Sequence, residues 1–157
     1  MTLKNPGDNK IVITDTSCFV LLEKINALNI LYQLYKTVTT TPEIAKEYGN
    51  ILPDWVTVKS ANQSLKEDFL QYVDEGEASA LALASETNCD FIIVDDMAAR
   101  KLAQKLGFTI KGTIGVLLQA KQENIIPAFR PYLDLVQQTN FRLSQQLAEQ
   151  FLKEAGE

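Results

Sequence analysis

Residues 91–100 read FIIVDDMAAR, and the fold turns on how that stretch is divided. Phe91 to Val94 is a short apolar run, three of its four residues β-branched, which suits a buried strand. Met97 to Leu106 then reads as a helix that stops at Gly107. Between them stand two adjacent carboxylates, Asp95 and Asp96. They repel each other, so solvent, a helix N-terminus, an arginine or a bound cation must offset that.

The same division repeats along the chain. Ile11 to Thr14 (IVIT), Thr37 to Thr41 (TVTTT), Trp55 to Val58 (WVTV) and Phe108 to Ile110 read as further strands. Helices are expected over Ser17 to Tyr35, with a break near Asn26, and over Pro42 to Tyr48, Gln63 to Tyr72 and the run opening at Asp74 (DEGEASALALASE). Thr41 and Pro42 form a well-marked helix start, and Gly49 a stop. Strands alternate with helices for the first 110 residues, which implies a parallel sheet covered by helices on both faces. Ile114 to Glu123, Pro127 to Gln138 and Ser144 to Glu154 add further helices, the last two forming a C-terminal helical tail over about 127–157.

The length of 157 residues suits one domain spanning 1–157. No apolar run approaches the roughly 18 residues that cross a bilayer, and residues 1–10 lack a signal peptide's apolar core. The expectation is a soluble cytoplasmic protein with no membrane partner. Cys18 and Cys89 lie in apolar segments and read as buried thiols. Histidine is absent and the net charge is −5. That excludes a Ser-His-Asp triad, a Cys-His pair and an imidazole zinc site. Acid–base or metal chemistry must rest on carboxylates, which favour hard cations such as Mg²⁺ or Mn²⁺.

In parallel sheets ligands bind beyond the carboxyl ends of the strands, so the residues there matter most. Asp15 follows the first strand, beside the hydroxyls of Thr16 and Ser17. Glu43 and Glu47 follow the second. Glu75 and Glu77 begin the helix before the fourth, and Asp95 and Asp96 follow the fourth. Each has a structural explanation as well. Asp15 suits an N-cap. Asp74 and Glu77 have the spacing of a capping box. Glu43 lies in a helical first turn, where the helix dipole favours an acid; Glu47, one turn on, is explained less well that way. One of Asp95 and Asp96 suits an N-cap, and Asp96 and Arg100 have the i, i+4 spacing of a modest ion pair. Gly76 and the alanines after it imply close backbone packing. Basic residues of the second half, Arg100, Lys101, Lys105, Lys111, Lys121, Arg130 and Arg142, suit solvated helix faces or phosphate contacts. Leu28, Leu31, Tyr32 and Tyr35 form an apolar stripe, either core or a dimer face.

Taken in order, ITDTSCFV, TPEIAKEY, DEGEASALALA and IIVDDMAARKLAQKLG, with GTIGVLLQAKQENIIP, RPYLDLV and the closing FRLSQQL, resemble the PIN-domain ribonucleases. They resemble especially a PIN-like prokaryotic group of unknown function related to the VapC-type toxins. The resemblance runs from about residue 11 to the end. It implies a three-layer α/β/α sandwich on a mostly parallel five-stranded sheet. It also implies a Mg²⁺- or Mn²⁺-dependent endoribonuclease, with RNA as substrate, a homodimer, and a small antitoxin as partner. The family's catalytic acids fall on Asp15, Glu47, Glu77 (aspartate in typical relatives) and Asp96, and the metal ligands on Asp15, Glu77, Asp95 and Asp96. Thr16, Ser17 and Arg100 fall to substrate binding. A typical relative has Thr-x-Asp at the fourth position, where this chain has Val94-Asp95-Asp96. A catalytically inactive PIN-like module that binds RNA or protein is the alternative.

Overall fold

The computed structural model describes residues 10–157; the reading of the extreme N-terminus as lacking a signal peptide's apolar core falls almost wholly outside them. Five short strands form one sheet: β1 (Val12–Thr14), β2 (Val38–Thr40), β3 (Val56–Val58), β4 (Phe91–Ile93) and β5 (Ile110–Lys111). Their order is β3-β2-β1-β4-β5, and every pairing is parallel. β1 and β4 lie in register, with Val12 opposite Phe91 and Thr14 opposite Ile93. Both are buried along their whole length, as a central parallel strand requires, whereas edge strand β3 is mostly exposed.

Nine helices connect and cover the strands among the described residues: α1 (Thr16–Lys24), α2 (Asn29–Tyr35), α3 (Pro42–Tyr48), α4 (Gln63–Phe69), α5 (Glu75–Glu86), α6 (Met97–Lys105), α7 (Thr113–Gln122), α8 (Arg130–Gln137) and α9 (Gln145–Glu154). α1 and α2 pack with α7; α5 packs on β1 and α4. The first two crossovers run one way along the sheet and the later ones the other way. Right-handed connections then put α1–α2 and α4–α6 on opposite faces, giving the three-layer sandwich. α3 touches both α1 and α5.

Local chemistry sets the boundaries. Asn26, at a φ of 57°, separates α1 from α2. Thr41 caps α3 by accepting the Ile44 N–H, and Gly49 ends it at a φ of 78°, a conformation that favours glycine. β5 begins two residues later than the sequence pattern predicts. Gly107 donates to the Gln104 carbonyl and Phe108 to that of Ala103, so Phe108 still closes α6 and cannot start a strand. α4 ends before Leu70, three residues short of its predicted end.

Phe19, Leu22, Leu31, Ile13, Ile92, Leu117 and Phe129 are among the fully buried side chains. The apolar stripe on α2 divides: Leu31 and Tyr35 are core, Leu28 is half-buried, and Tyr32 is 42% exposed against Trp55. The C-terminal helices join the same core through Phe129, Leu133, Val136 and Ala148. Glu157 holds them down, accepting the N–H groups of Phe129 and Arg130. Cys18 is a buried thiol, and burial pushes its pKa up; Cys89 is half-buried rather than buried. Among the described residues no helix is long and apolar enough to cross a membrane.

Candidate active site

The chain leaves β1 toward β2 on one side, and later returns to β4 on the other. The crevice at this reversal is where a parallel sheet admits a ligand. Asp15 and the Asp95–Asp96 pair emerge there side by side, joined by the Asp15 N–H donating to the Ile93 carbonyl at 3.1 Å.

The acids differ in what their side chains do. Asp15 occupies the N-cap position of α1, yet its carboxylate makes no capping hydrogen bond. Asp96 does cap: its Oδ2 accepts the Ala99 N–H at 3.0 Å. Asp95 braces the start of α7, accepting the Thr113 N–H at 2.9 Å and the Thr113 hydroxyl at 2.6 Å, with the Ser17 hydroxyl at 3.4 Å. Asp74 and Glu77 form the full capping box of α5, each accepting the other's backbone N–H at 2.8 and 3.1 Å. Glu43 pairs with Lys66 at 3.5 Å, which leaves Glu47 as the α3 acid that reaches the crevice.

Close packing of α3 on α5 brings Glu47 and Glu77 toward Asp15. The Thr41 and Ser79 hydroxyls meet at 2.6 Å, and Ser79 donates onward to the Gly76 carbonyl. A Cβ on Gly76 would stand 2.8 Å from Glu47 Oε2 and 3.5 Å from Ile44 Cγ1, so glycine makes room for the carboxylate.

These side chains line one open cleft of about 960 Å³. Asp15, Glu77 and Thr16 form its buried floor; Glu47, Asp74 and Asp96 stand exposed on its rim. The Thr16 hydroxyl is buried with no hydrogen-bond partner, as is that of Thr14. Burial pushes Asp15 up to about 7; the Thr16 backbone N–H opposes this, while Asp74, Glu47 and Asp95 add to it. Burial pushes Glu77 up to about 8, with the Asp74 N–H opposing and the charges of Asp74, Asp15 and Asp96 reinforcing. Glu47 is raised by desolvation and by Asp74, with the Thr16 hydroxyl nearby opposing the shift although it lies outside hydrogen-bonding geometry. Asp15 therefore senses the charge of Glu47, and Glu77 that of Asp15, although among the described residues no three carboxylates stand closely enough to form a ready-made ligand group.

Seven of the eight site residues expected from sequence line this cleft: Asp15, Thr16, Ser17, Glu47, Glu77, Asp95 and Asp96. Arg100 does not. Its Nη1 donates to the Val94 carbonyl at 3.4 Å rather than pairing with Asp96, and it lines an adjoining cleft of about 620 Å³. Gly112 makes this placement feasible, since a Cβ there would meet Arg100 Nη1 at 2.8 Å. Sequence reasoning passed over Asp74 as a site residue, although its capping role was readable. It also passed over Lys24, Asn140 and Phe141, which line the cleft too, and grouped Arg142 only with the basic residues suited to helix faces or phosphate contacts. Nothing local marks Asn140 and Phe141.

No curated protein matches the chain. A family model described as PIN domain matches residues 11–157, taking in every strand and helix above. PIN domains are in general nucleases and typically use divalent metals. With its all-parallel five-stranded sheet and nearly full-length match, the chain belongs to the PIN-domain family.

Proposed function

We propose that this protein is a metal-dependent endoribonuclease hydrolysing RNA phosphodiester bonds. Its catalytic acids would be Asp15, Glu47, Glu77 and Asp96. The observation that carries the reading is Asp15: it starts a helix, is 5% exposed, and caps nothing. A buried carboxylate among like charges is unfavourable as an ion, and a cation relieves it.

The donor set fits a hard divalent ion. It offers carboxylate and hydroxyl oxygens only, and the Thr16 hydroxyl lies buried there without a partner. Asp15, Glu77, Asp95 and Asp96 are the residues that would hold Mg²⁺ or Mn²⁺. A bound cation of this kind neutralises charge on a phosphate and acidifies water. The rest falls to the chain. Asp15 and Glu77 release the protons that burial makes them keep. Glu47, exposed at the cleft mouth, takes a proton from the attacking water. Thr16 and Ser17, in the first turn of α1, present hydroxyls and backbone N–H groups to phosphate oxygens.

The toxin role, the small antitoxin partner and the homodimer are supported by the family resemblance. A second reading, an inactive module binding RNA or protein, draws support from Asp74, Glu77, Asp95 and Asp96, which each already hold a structural hydrogen bond. Calorimetry with Mn²⁺ and Mg²⁺ and cleavage of labelled RNA separate the two. Asp15→Asn is expected to weaken Mn²⁺ binding and lower cleavage by on the order of 10³-fold. Wild-type protein that binds neither ion in the millimolar range or tighter supports the module instead.

A further inference from the structure

The connection between α8 and α9 lines the acidic cleft through Asn140, Phe141 and Arg142, and it is built rather than slack. The Thr139 hydroxyl donates to the Val136 carbonyl at 2.6 Å and accepts the Phe141 N–H at 3.1 Å. Lys24 on α1 donates to Asn140 Oδ1 at 3.1 Å, across 116 residues of sequence. Ser144 then caps α9 through the Leu147 N–H.

This segment carries Arg142 into a cleft lined by six carboxylates, yet Arg142 pairs with none of them. Among the described residues the ion pairs belong to Lys66 and Lys121. A guanidinium beside so much negative charge, exposed and uncommitted, is placed for an incoming anion. Phe141 is half-buried and, with Met97, Asp95 and Arg142, lines both the acidic cleft and the adjoining one that holds Arg100. Met97 is 65% exposed, so an apolar surface also faces the passage between the clefts.

We propose that residues 139–143 are a substrate strap, with Arg142 binding a phosphate next to the scissile one and Phe141 stacking a base of single-stranded RNA. The proposal rests on the nuclease reading above. The acids that must reach the scissile phosphate, Asp15 and Glu77, are recessed at 5% and 7% exposure in the cleft that this segment lines. A flexible single strand can enter such a recess, whereas a duplex is stiff and keeps its bases stacked away from side chains. The Lys24–Asn140 contact positions the strap.

Cleavage of a fluorescent single-stranded RNA with Mn²⁺ tests this, compared with the same sequence annealed into a duplex. Arg142→Ala is expected to raise KM about tenfold with kcat within about twofold, because the lost contact binds substrate and transition state alike. The salt dependence of kcat/KM should become shallower by about 0.7, the loss of one phosphate contact to a single strand. Arg142→Lys should restore most of KM, and Phe141→Leu should raise KM while keeping an apolar filler. Unchanged KM and salt slope in Arg142→Ala, in a protein that cleaves, overturns the strap and leaves the nuclease reading standing. Equal cleavage of the duplex overturns it too. Wild-type protein that cleaves no RNA with either metal overturns the nuclease reading and the strap together.

Discussion

Helices α3 and α5 each carry two acids, and the structure treats the two pairs in opposite ways. Glu43 and Glu75 turn toward Lys66, which reaches them at 3.5 and 3.0 Å. Glu47 and Glu77, one turn or less away on the same helices, turn into the cleft toward Asp15, where no described cation pairs with them. The first pair is compensated within the chain and stabilises the contact between elements. The second is uncompensated: burial, reinforced by neighbouring carboxylates, raises the pKa of Glu77 and of Asp15 beside it, with Glu47 adding to the shift of Asp15. Helix spacing alone makes both pairs look alike; the position of one lysine separates an ion-pair network from a candidate cation site.

The largest expected effect is on stability against pH. Asp15 rises from 3.8 unfolded to about 7 folded, and Glu77 from 4.5 to about 8. Between those limits the folded state keeps protons that the unfolded state has released. Folding stability is therefore full below about pH 4 for these groups and is lost as pH climbs through 7 and 8. For Asp15 the loss is at most about 4 kcal/mol. The chain has no histidine, so few other groups titrate between pH 5 and 8 to mask the slope. Urea midpoints in EDTA should fall across that interval, and millimolar Mn²⁺ should raise them most at pH 8. Asp15→Asn should flatten the slope. A midpoint independent of pH in EDTA would show that the second pair is compensated after all.

Breaking the compensated pair should do the reverse. Lys66→Met removes a cation whose side chain is 10% exposed and leaves Glu43, at 21%, without its partner. A loss of about 1–2 kcal/mol is expected, less than for a fully buried pair because Glu75 remains 67% exposed. Cleavage at a temperature well below unfolding should change less than about twofold. Measuring Tm and cleavage on the same preparation decides it. Lost cleavage with unchanged Tm would mean the two acid pairs act as one site.

How much of this could be read from the sequence follows from where each cause lies. Short-range causes were legible. The apolar runs of β1 and β4 read as buried strands because parallel strands bury both faces. Thr41-Pro42 with Gly49, and Asp74 with Glu77, marked their helices by chemistry within a few residues. The division of labour between Asp95 and Asp96 was not legible, since either suits an N-cap. It is decided by Thr113, eighteen residues on, which engages Asp95 through both its N–H and its hydroxyl. Asp96 is accordingly the cap, although one of its oxygens makes no hydrogen bond among the described residues. Arg100 escaped for the same reason, since the space that draws it from Asp96 is made by Gly112. Nothing near Asn140 announces that Lys24 will hold it at the cleft.

The smallest expected effect sharpens the comparison most, because it changes one pair without touching its charges. Gly76→Ala adds a methyl group where Glu47 Oε2 now lies, 2.8 Å away, with Ile44 Cγ1 at an ordinary 3.5 Å. The atom in the way is the far end of a flexible side chain, so Glu47 can rotate while α5 keeps its place. Alanine favours a helix interior over glycine by up to about 1 kcal/mol, which offsets the displacement. Tm should therefore hold or rise slightly. Cleavage should fall about tenfold, equivalent to about 1.4 kcal/mol of transition-state stabilisation, because the mouth of the cleft loses its carboxylate. Glu75→Gln on the same turn should leave cleavage unchanged, since that acid faces Lys66. If Gly76→Ala instead destabilises the protein and leaves cleavage intact, the tight α3–α5 contact exists for packing, and Glu47 belongs with Glu43 on the structural side of the divide.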